Sequence, residues 1–212
     1  SISESKSMGI RKDAIMKSKS ALVLEELRSK LRTASVAQVG GFRPTADPIT
    51  SWFLKGVALP GEGLPVWKGQ PMFPLLQIRV DELPVIPEQL KGIALLVLYH
   101  NMESHPFDKP HGEGWLIREY ATLDGLELLP AINTPYRAFP VRWVSVNDDA
   151  PGWEDAWDII DLSDVNDDED ASNRFYDGFN RYRGTKVGGY PMEIQHGVGI
   201  QDFVSPLDIE WR

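Results

Sequence analysis

Residues Trp67–Pro84 read W-K-G-Q-P-M-F-P-L-L-Q-I-R-V-D-E-L-P, and they decide the fold class. Gly69 tolerates dihedrals closed to other residues and Pro71 fixes its own φ, so the segment opens on a turn. Leu75, Leu76, Ile78 and Val80 follow with Gln77 and Arg79 between them, the pattern of a strand. Asp81-Glu82-Leu83-Pro84 ends it. Leu90–Tyr99 (L-K-G-I-A-L-L-V-L-Y) is the most apolar run of the chain and reads as a central strand. The Pro84–Gln89 connection is short enough to pair Leu75–Val80 with Ile93–Tyr99.

Working outward, Trp115–Tyr120 reads as the next strand, Leu123–Leu129 as a short segment and Phe139–Val146 as an alternating strand. His100–Gly114 is a polar loop between strands. Upstream, Ile10–Ala34 has a helical pattern with Ala14, Ala21, Leu24, Leu27 and Leu31 on one face. Seven basic residues between Arg11 and Arg32 would also suit a membrane-surface helix. The apolar face has no Trp or Phe to anchor it in lipid, so a helix packed on the body of the protein is the preferred reading. Val39-Gly40-Gly41 closes this region, and Ser1–Gly9 is expected to be a disordered leader. No linker divides the rest, so one domain over residues 10–212 is expected.

Composition supports a folded, turn-rich protein. The 212 residues are 42% hydrophobic and 10% aromatic, with seven tryptophans and sixteen prolines. The absence of cysteine removes disulfides, thiolate metal sites and cysteine nucleophiles. A net charge of −9 disfavours binding to a nucleic-acid backbone and suits a basic protein partner. Ser1–Ile10 lacks the apolar core of a secretory signal. The longest unbroken apolar run, Ile93–Tyr99, is roughly a third of a bilayer span. A cytoplasmic protein without membrane segments is expected.

Two segments resemble the YwqG-like family, whose molecular function is unknown. The first is the order Trp67, Gly69-Gln70-Pro71-Met72, Leu76-Gln77-Ile78, Glu82-Leu83-Pro84, then the apolar strand. The second is Gly188-Gly189-Tyr190-Pro191 followed by Ile194-Gln195. The chain departs from the family pattern at Ser51–Pro60, where Lys55-Gly56 replaces a glycine pair. The resemblance implies a β-rich α+β single domain with mostly antiparallel sheet and an internal pseudo-repeat. The faint echo between Gly69–Met72 and Gly189–Met192 is compatible with that. It further implies a place beside polymorphic or contact-delivered bacterial toxins, type VI effectors among them, as an immunity protein. Distant relatives resemble escorts of basic ribosomal proteins, which implies the alternative of a chaperone or adaptor.

Candidate chemistry is sparse. His100, Glu103, His105, Asp108 and His111 are metal-ligand types, but their spacing matches no zinc pattern. Asp164–Asp170 superficially resembles a calcium loop, yet Glu169 and Phe175 stand where Gly and a bidentate acid are needed. No nucleophile elbow, P-loop or dinucleotide fingerprint occurs. Gly188 and Gly189 read as turn and close-packing residues. Crowded carboxylates can serve a sugar hydrolase, but this ranks third; the expectation is no enzyme, no metal and no cofactor.

The most distinctive stretch is Asp148–Asp170, with eleven acidic residues and no basic one. Asp149 can cap a helix over Pro151–Leu162, where Trp153, Ala156, Trp157 and Ile160 share one face. A second helix, Ser172–Tyr182, carries Phe175, Phe179 and Tyr182 on one side. The expected interface with a basic protein comprises Asp148, Asp149, Trp153, Glu154, Asp155, Asp158 and Asp161. Glu154, Asp158 and Asp161 would steer the partner, and Trp153 and Trp157 would face the core or anchor the partner. The plain alternative is a face that only keeps the protein soluble.

Overall fold

The computed structural model describes residues 2–101, 109–131, 133–191 and 207–208. The chain runs α1 (Ile2–Arg28), β1 (Arg32–Val39), β2 (Trp52–Phe53), β3 (Val57–Ala58), β4 (Val66–Trp67) and β5 (Gln70–Pro71). It continues β6 (Phe73–Arg79), β7 (Leu95–His100), β8 (Trp115–Tyr120), β9 (Glu127–Leu128) and β10 (Phe139–Asp149). Then come α2 (Trp153–Trp157), α3 (Ser163–Asn166), α4 (Glu169–Asp177), β11 (Lys186–Gly188) and β12 (Leu207–Asp208). The fold is α+β, rich in strand and mostly antiparallel. Its residues gather into two compact units, Ser1–Val36 with Ser145–Arg212, and Ala37–Val144.

The 37–144 unit is built on the antiparallel ladder β10–β2–β6–β7–β8. The expected strand pair is its centre, with Leu76 opposite Leu98, Gln77 opposite Val97 and Ile78 opposite Leu96. The connection is filled by two 3-10 turns, Val80–Glu82 and Glu88–Leu90, so the strand ends at Arg79 rather than Val80. Upstream, β4 and β5 form a hairpin whose loop is Lys68-Gly69, both with positive φ (49° and 78°). Two such residues in a two-residue loop match the twist of the paired strands. The pseudo-repeat partner Gly189 has a similar φ of 77°, whereas Met192–Gln195 lie outside the described residues.

Alternation in β6 does not translate into one wet face, because every residue from Met72 to Ile78 is buried. Gln77 is fully buried, and its Nε2 donates to Pro48 O at 3.0 Å and Thr50 O at 2.6 Å. That amide ties the segment before β2 to the ladder. Leu95, Val97 and Tyr99 of β7 join Val57, Met72, Tyr120 and Leu129 in the core of this unit. Ser51 sits at the junction: its Oγ accepts from Trp143 Nε1 at 2.9 Å and from Arg79 N at 3.0 Å, and its N donates to Glu82 Oε2 at 2.8 Å.

In the other unit, Leu24 and Leu27 of α1 enter a core with Ala150, Ala156, Ile160, Leu162, Val165, Ala171, Phe175 and Phe179. Three expectations are corrected here. The helix starts at Ile2, inside the supposed leader, and stops at Arg28, where Ser29 and Lys30 donate to Glu26 O and Leu27 O in a turn. Arg32–Ala34, the expected end of the helix, belong instead to β1, with Ala34 opposite Gly188 and Val36 opposite Lys186. Thr33, Val36 and Val39 are β-branched, and pairing with β11 outweighs the helical spacing of Leu31. Ala14 and Ala21 are exposed, while Ser20 is buried on the core-facing side.

The expected helix over Pro151–Leu162 is also shorter. Asp161 Oδ1 accepts from Ser163 N at 2.9 Å and Ser163 Oγ at 2.6 Å, an Asx turn that redirects the chain into α3. The next helix, expected over Ser172–Tyr182, is shifted to Glu169–Asp177 because Asp168 caps it, its carboxylate accepting from Ala171 N at 3.2 Å.

Replacing Ser51 with Ala leaves the Trp143 indole N–H and the Arg79 amide without their acceptor in a fully buried place. The expected loss is about 1–3 kcal/mol, read as a lower urea midpoint at unchanged m-value.

Candidate functional site

The acidic stretch begins where β10 ends. Asp149 is fully buried, and so is Lys186, whose Nζ donates to Asp149 Oδ2 at 2.8 Å. The same oxygen accepts from Tyr190 N at 2.8 Å, and Oδ1 accepts from Tyr182 N at 3.2 Å. A Cβ on Gly189 would stand 2.3 Å from Asp149 Oδ2, so only glycine lets the backbone close over the carboxylate. This explains the second glycine of the Gly-Gly-Tyr-Pro segment, Gly189, which serves close packing. Tyr190 completes the arrangement: its hydroxyl donates to Lys30 O at 2.7 Å and Arg32 lies 4.0 Å over its ring.

Asp149 is therefore neither a helix cap nor an interface residue, since it has no exposed surface to offer a partner. Asp155 is likewise buried. Asp148 is half-buried and accepts from Asn180 Nδ2 at 2.6 Å and Tyr182 Oη at 2.8 Å. Those donors hold its carboxyl below the usual carboxylate range. Trp153 is half-buried in an aromatic cluster. It meets Phe175 edge-on at 4.8 Å, stacks on Tyr176 at 5.6 Å and meets Trp157 edge-on at 6.0 Å. Arg181 braces the same cluster, lying 4.3 Å over Phe175 and donating to Phe175 O and Pro151 O.

Glu154, Asp158 and Asp161 are the three members of the expected interface that reach solvent freely. Across Asp148–Asp170 the exposed acids are Glu154, Asp158, Asp161, Asp167, Glu169 and Asp170. Asp170 is paired with Lys17 at 3.1 Å, but among the described residues no cation pairs with Glu154 or Asp158. Beside them stand Trp157, 39% exposed, and Tyr176, 54% exposed. Sequence reasoning did not select Tyr176. The signal was present, since Ala171 and Phe175, four residues apart, fix the buried face of α4 and place Tyr176 off it.

Of the metal-type residues, His100 and His111 are described, and each has a structural setting. His100 is buried at the end of β7, and His111 accepts from Ile117 N at 2.9 Å while meeting Trp115 edge-on. Glu103, His105 and Asp108 lie outside the described residues. Among the described residues no group of His, Asp and Glu is placed to hold a metal ion. The calcium-like segment is the α3–α4 corner, where Asp168 caps α4 and accepts from Ser20 Oγ at 2.7 Å. No helix among the described residues is long and apolar enough to cross a membrane. No protein-family model matches the chain, and no curated protein matches it.

Lys186→Met strands the Asp149 charge in the interior and is expected to cost about 3–5 kcal/mol, measured by urea denaturation. The Ser20 hydroxyl is the main cause holding the Asp168 carboxyl below its ordinary value, with the Ala171 amide adding to it against burial. A depressed folded value means this stabilisation is complete above the unfolded value of about 3.9 and is lost as pH falls through the folded value. Asp168→Ala should cost about 1–2 kcal/mol at neutral pH, and its deficit against the parent should shrink below about pH 4. An unchanging deficit down to about pH 2 would show that the charge contributes nothing.

Proposed function

We propose that this chain is a cytoplasmic protein-binding module for a basic partner, engaged through the exposed acids of α2 and the turn that follows it. The observation that carries the reading is the pair of exposed carboxylates at Glu154 and Asp158, without a cation partner among the described residues, beside the exposed rings of Trp157 and Tyr176. Solvated charge alone does not call for large aromatic surface among it, whereas aromatic anchors within a charged rim are how protein interfaces concentrate energy. The negative field of a chain carrying −9 speeds encounter with a cationic surface.

Within that class, the preferred role is an immunity protein that occludes a basic toxin, nucleases being the natural target because an acidic face imitates their substrate. This step rests on the resemblance of the Trp67–Pro84 and Gly188–Gln195 segments to the YwqG-like family. Escort of a basic client is the second reading, and the same face would serve it. The two separate on one measurement: an immunity protein abolishes its partner's activity on binding, and an escort leaves it intact.

Glu154→Lys combined with Asp158→Lys is expected to slow association with the purified partner by about tenfold or more at low salt. The difference should narrow as ionic strength rises. Stopped-flow association rates across a salt series check this, and a variant that associates at the parent rate in low salt would sink the proposal.

A further inference from the structure

The 37–144 unit contains a cavity of about 320 Å³, at the small end of the range for organic ligands. Trp52, Phe73, Pro74, Leu129 and Tyr136 supply its apolar walls, and Lys55 is the one charged residue lining it among the described residues. The Lys55 ammonium lies 4.1 Å from the centroid of the Trp52 ring. The residue is half-buried, and among the described residues no carboxylate or hydrogen-bond acceptor pairs with the ammonium. A cation on an apolar hollow with no acidic partner among the described residues is unusual in a chain with a net charge of −9, where acidic side chains outnumber basic ones.

The walls are fixed before anything binds. Trp52 Nε1 donates to Thr50 Oγ1 at 2.8 Å, which sets the plane of the indole. Leu54 N donates to Leu75 O and Leu129 N donates to Gly56 O, both at 2.9 Å. Leu54 holds a left-handed φ of 61°, a conformation that a branched apolar residue keeps only where its surroundings impose it. The outcome is that Lys55 is presented over Trp52 at the cavity, one residue after a strained position.

We propose that this cavity binds a small organic anion with an apolar body and a single carboxylate. The aromatic and proline walls take the body, since burying it removes apolar surface from water on both sides. The carboxylate pairs with Lys55, a compact point charge that needs no bidentate geometry. Partial exclusion of water by the walls strengthens that pairing relative to the open surface. The same charge excludes amines and leaves neutral isosteres with hydrophobic contacts alone. The site belongs to a different unit from the acidic face and does not depend on the partner reading.

The test uses 1-naphthaleneacetate and its neutral counterpart 1-naphthaleneacetamide, titrated into the full chain labelled with nitrogen-15. The acid should shift the Trp52 indole N–H and the Gly56 and Leu129 amides saturably, with the amide at least about tenfold weaker. Lys55→Gln should bring the two ligands to within about twofold of each other, and Lys55→Arg should keep the preference for the acid. Ala138→Trp, at an exposed rim position, should block both; dispersed spectra of each variant verify its fold. The proposal is overturned if the acid gives no saturable shift at these resonances up to about 5 mM. It is equally overturned if the shifts map elsewhere, or if acid and amide bind the parent equally.

Discussion

A buried carboxylate met by one ammonium and two backbone amides holds the 1–36 and 145–212 unit together. Asp149 lies at the end of β10, Lys186 at the start of β11, and Tyr182 and Tyr190 flank Lys186 in sequence. With three donors drawn to one side chain, the path of residues 182–190 is determined. A charge so placed is costly to desolvate, and an ion pair alone seldom repays that cost. The added amide donors satisfy the remaining lone pairs, and Gly189 removes the side chain that would otherwise stand between them. The pair thus specifies one arrangement of strand and turn more than it supplies stability.

The acidic stretch consequently has two populations that share one sign of charge. Asp149, Asp155 and Asp168 are internal, and Asp149 and Asp168 organise their neighbours through named hydrogen bonds. Glu154 and Asp158 have no such partners among the described residues and define a face. The distinction is physical: the Asp149 and Asp168 carboxylates are already met by donors inside the protein, and only exposed acids can meet a cationic partner. Trp153 links the two, being packed on Phe175 while supporting the exposed rings of Trp157 and Tyr176.

The parts of the fold legible in the sequence are those governed by local pattern. The pairing of β6 with β7 follows from two apolar runs and a short connection, and β8 and β10 from runs of similar kind. The core side of α4 and its exit turn follows from Ala171, Phe175 and Phe179, spaced by four. The illegible parts depend on distant partners. Nothing near Ser29-Lys30 marks the end of α1, because the turn contains neither Gly nor Pro and Leu31 continues the helical spacing. Gln77 is buried because carbonyls at Pro48 and Thr50 receive its amide, and no local pattern announces them. The division of the acids depends on Ser20 and Lys186, which lie far outside the run.

The order of these contacts along the chain bears on biosynthesis. The Ala37–Val144 unit is continuous in sequence, so all of its internal partners have emerged once residue 144 leaves the ribosome. The other unit is interrupted. Leu24 and Leu27 are made early, yet their core partners between Ala150 and Phe179 come after the whole intervening unit, and Asp149 waits further for Lys186. Chains emerge at about 5–20 residues per second, so the apolar face of α1 spends several seconds without its partners. A nascent chain of this protein therefore exposes its first helix to chaperones throughout synthesis of the middle segment.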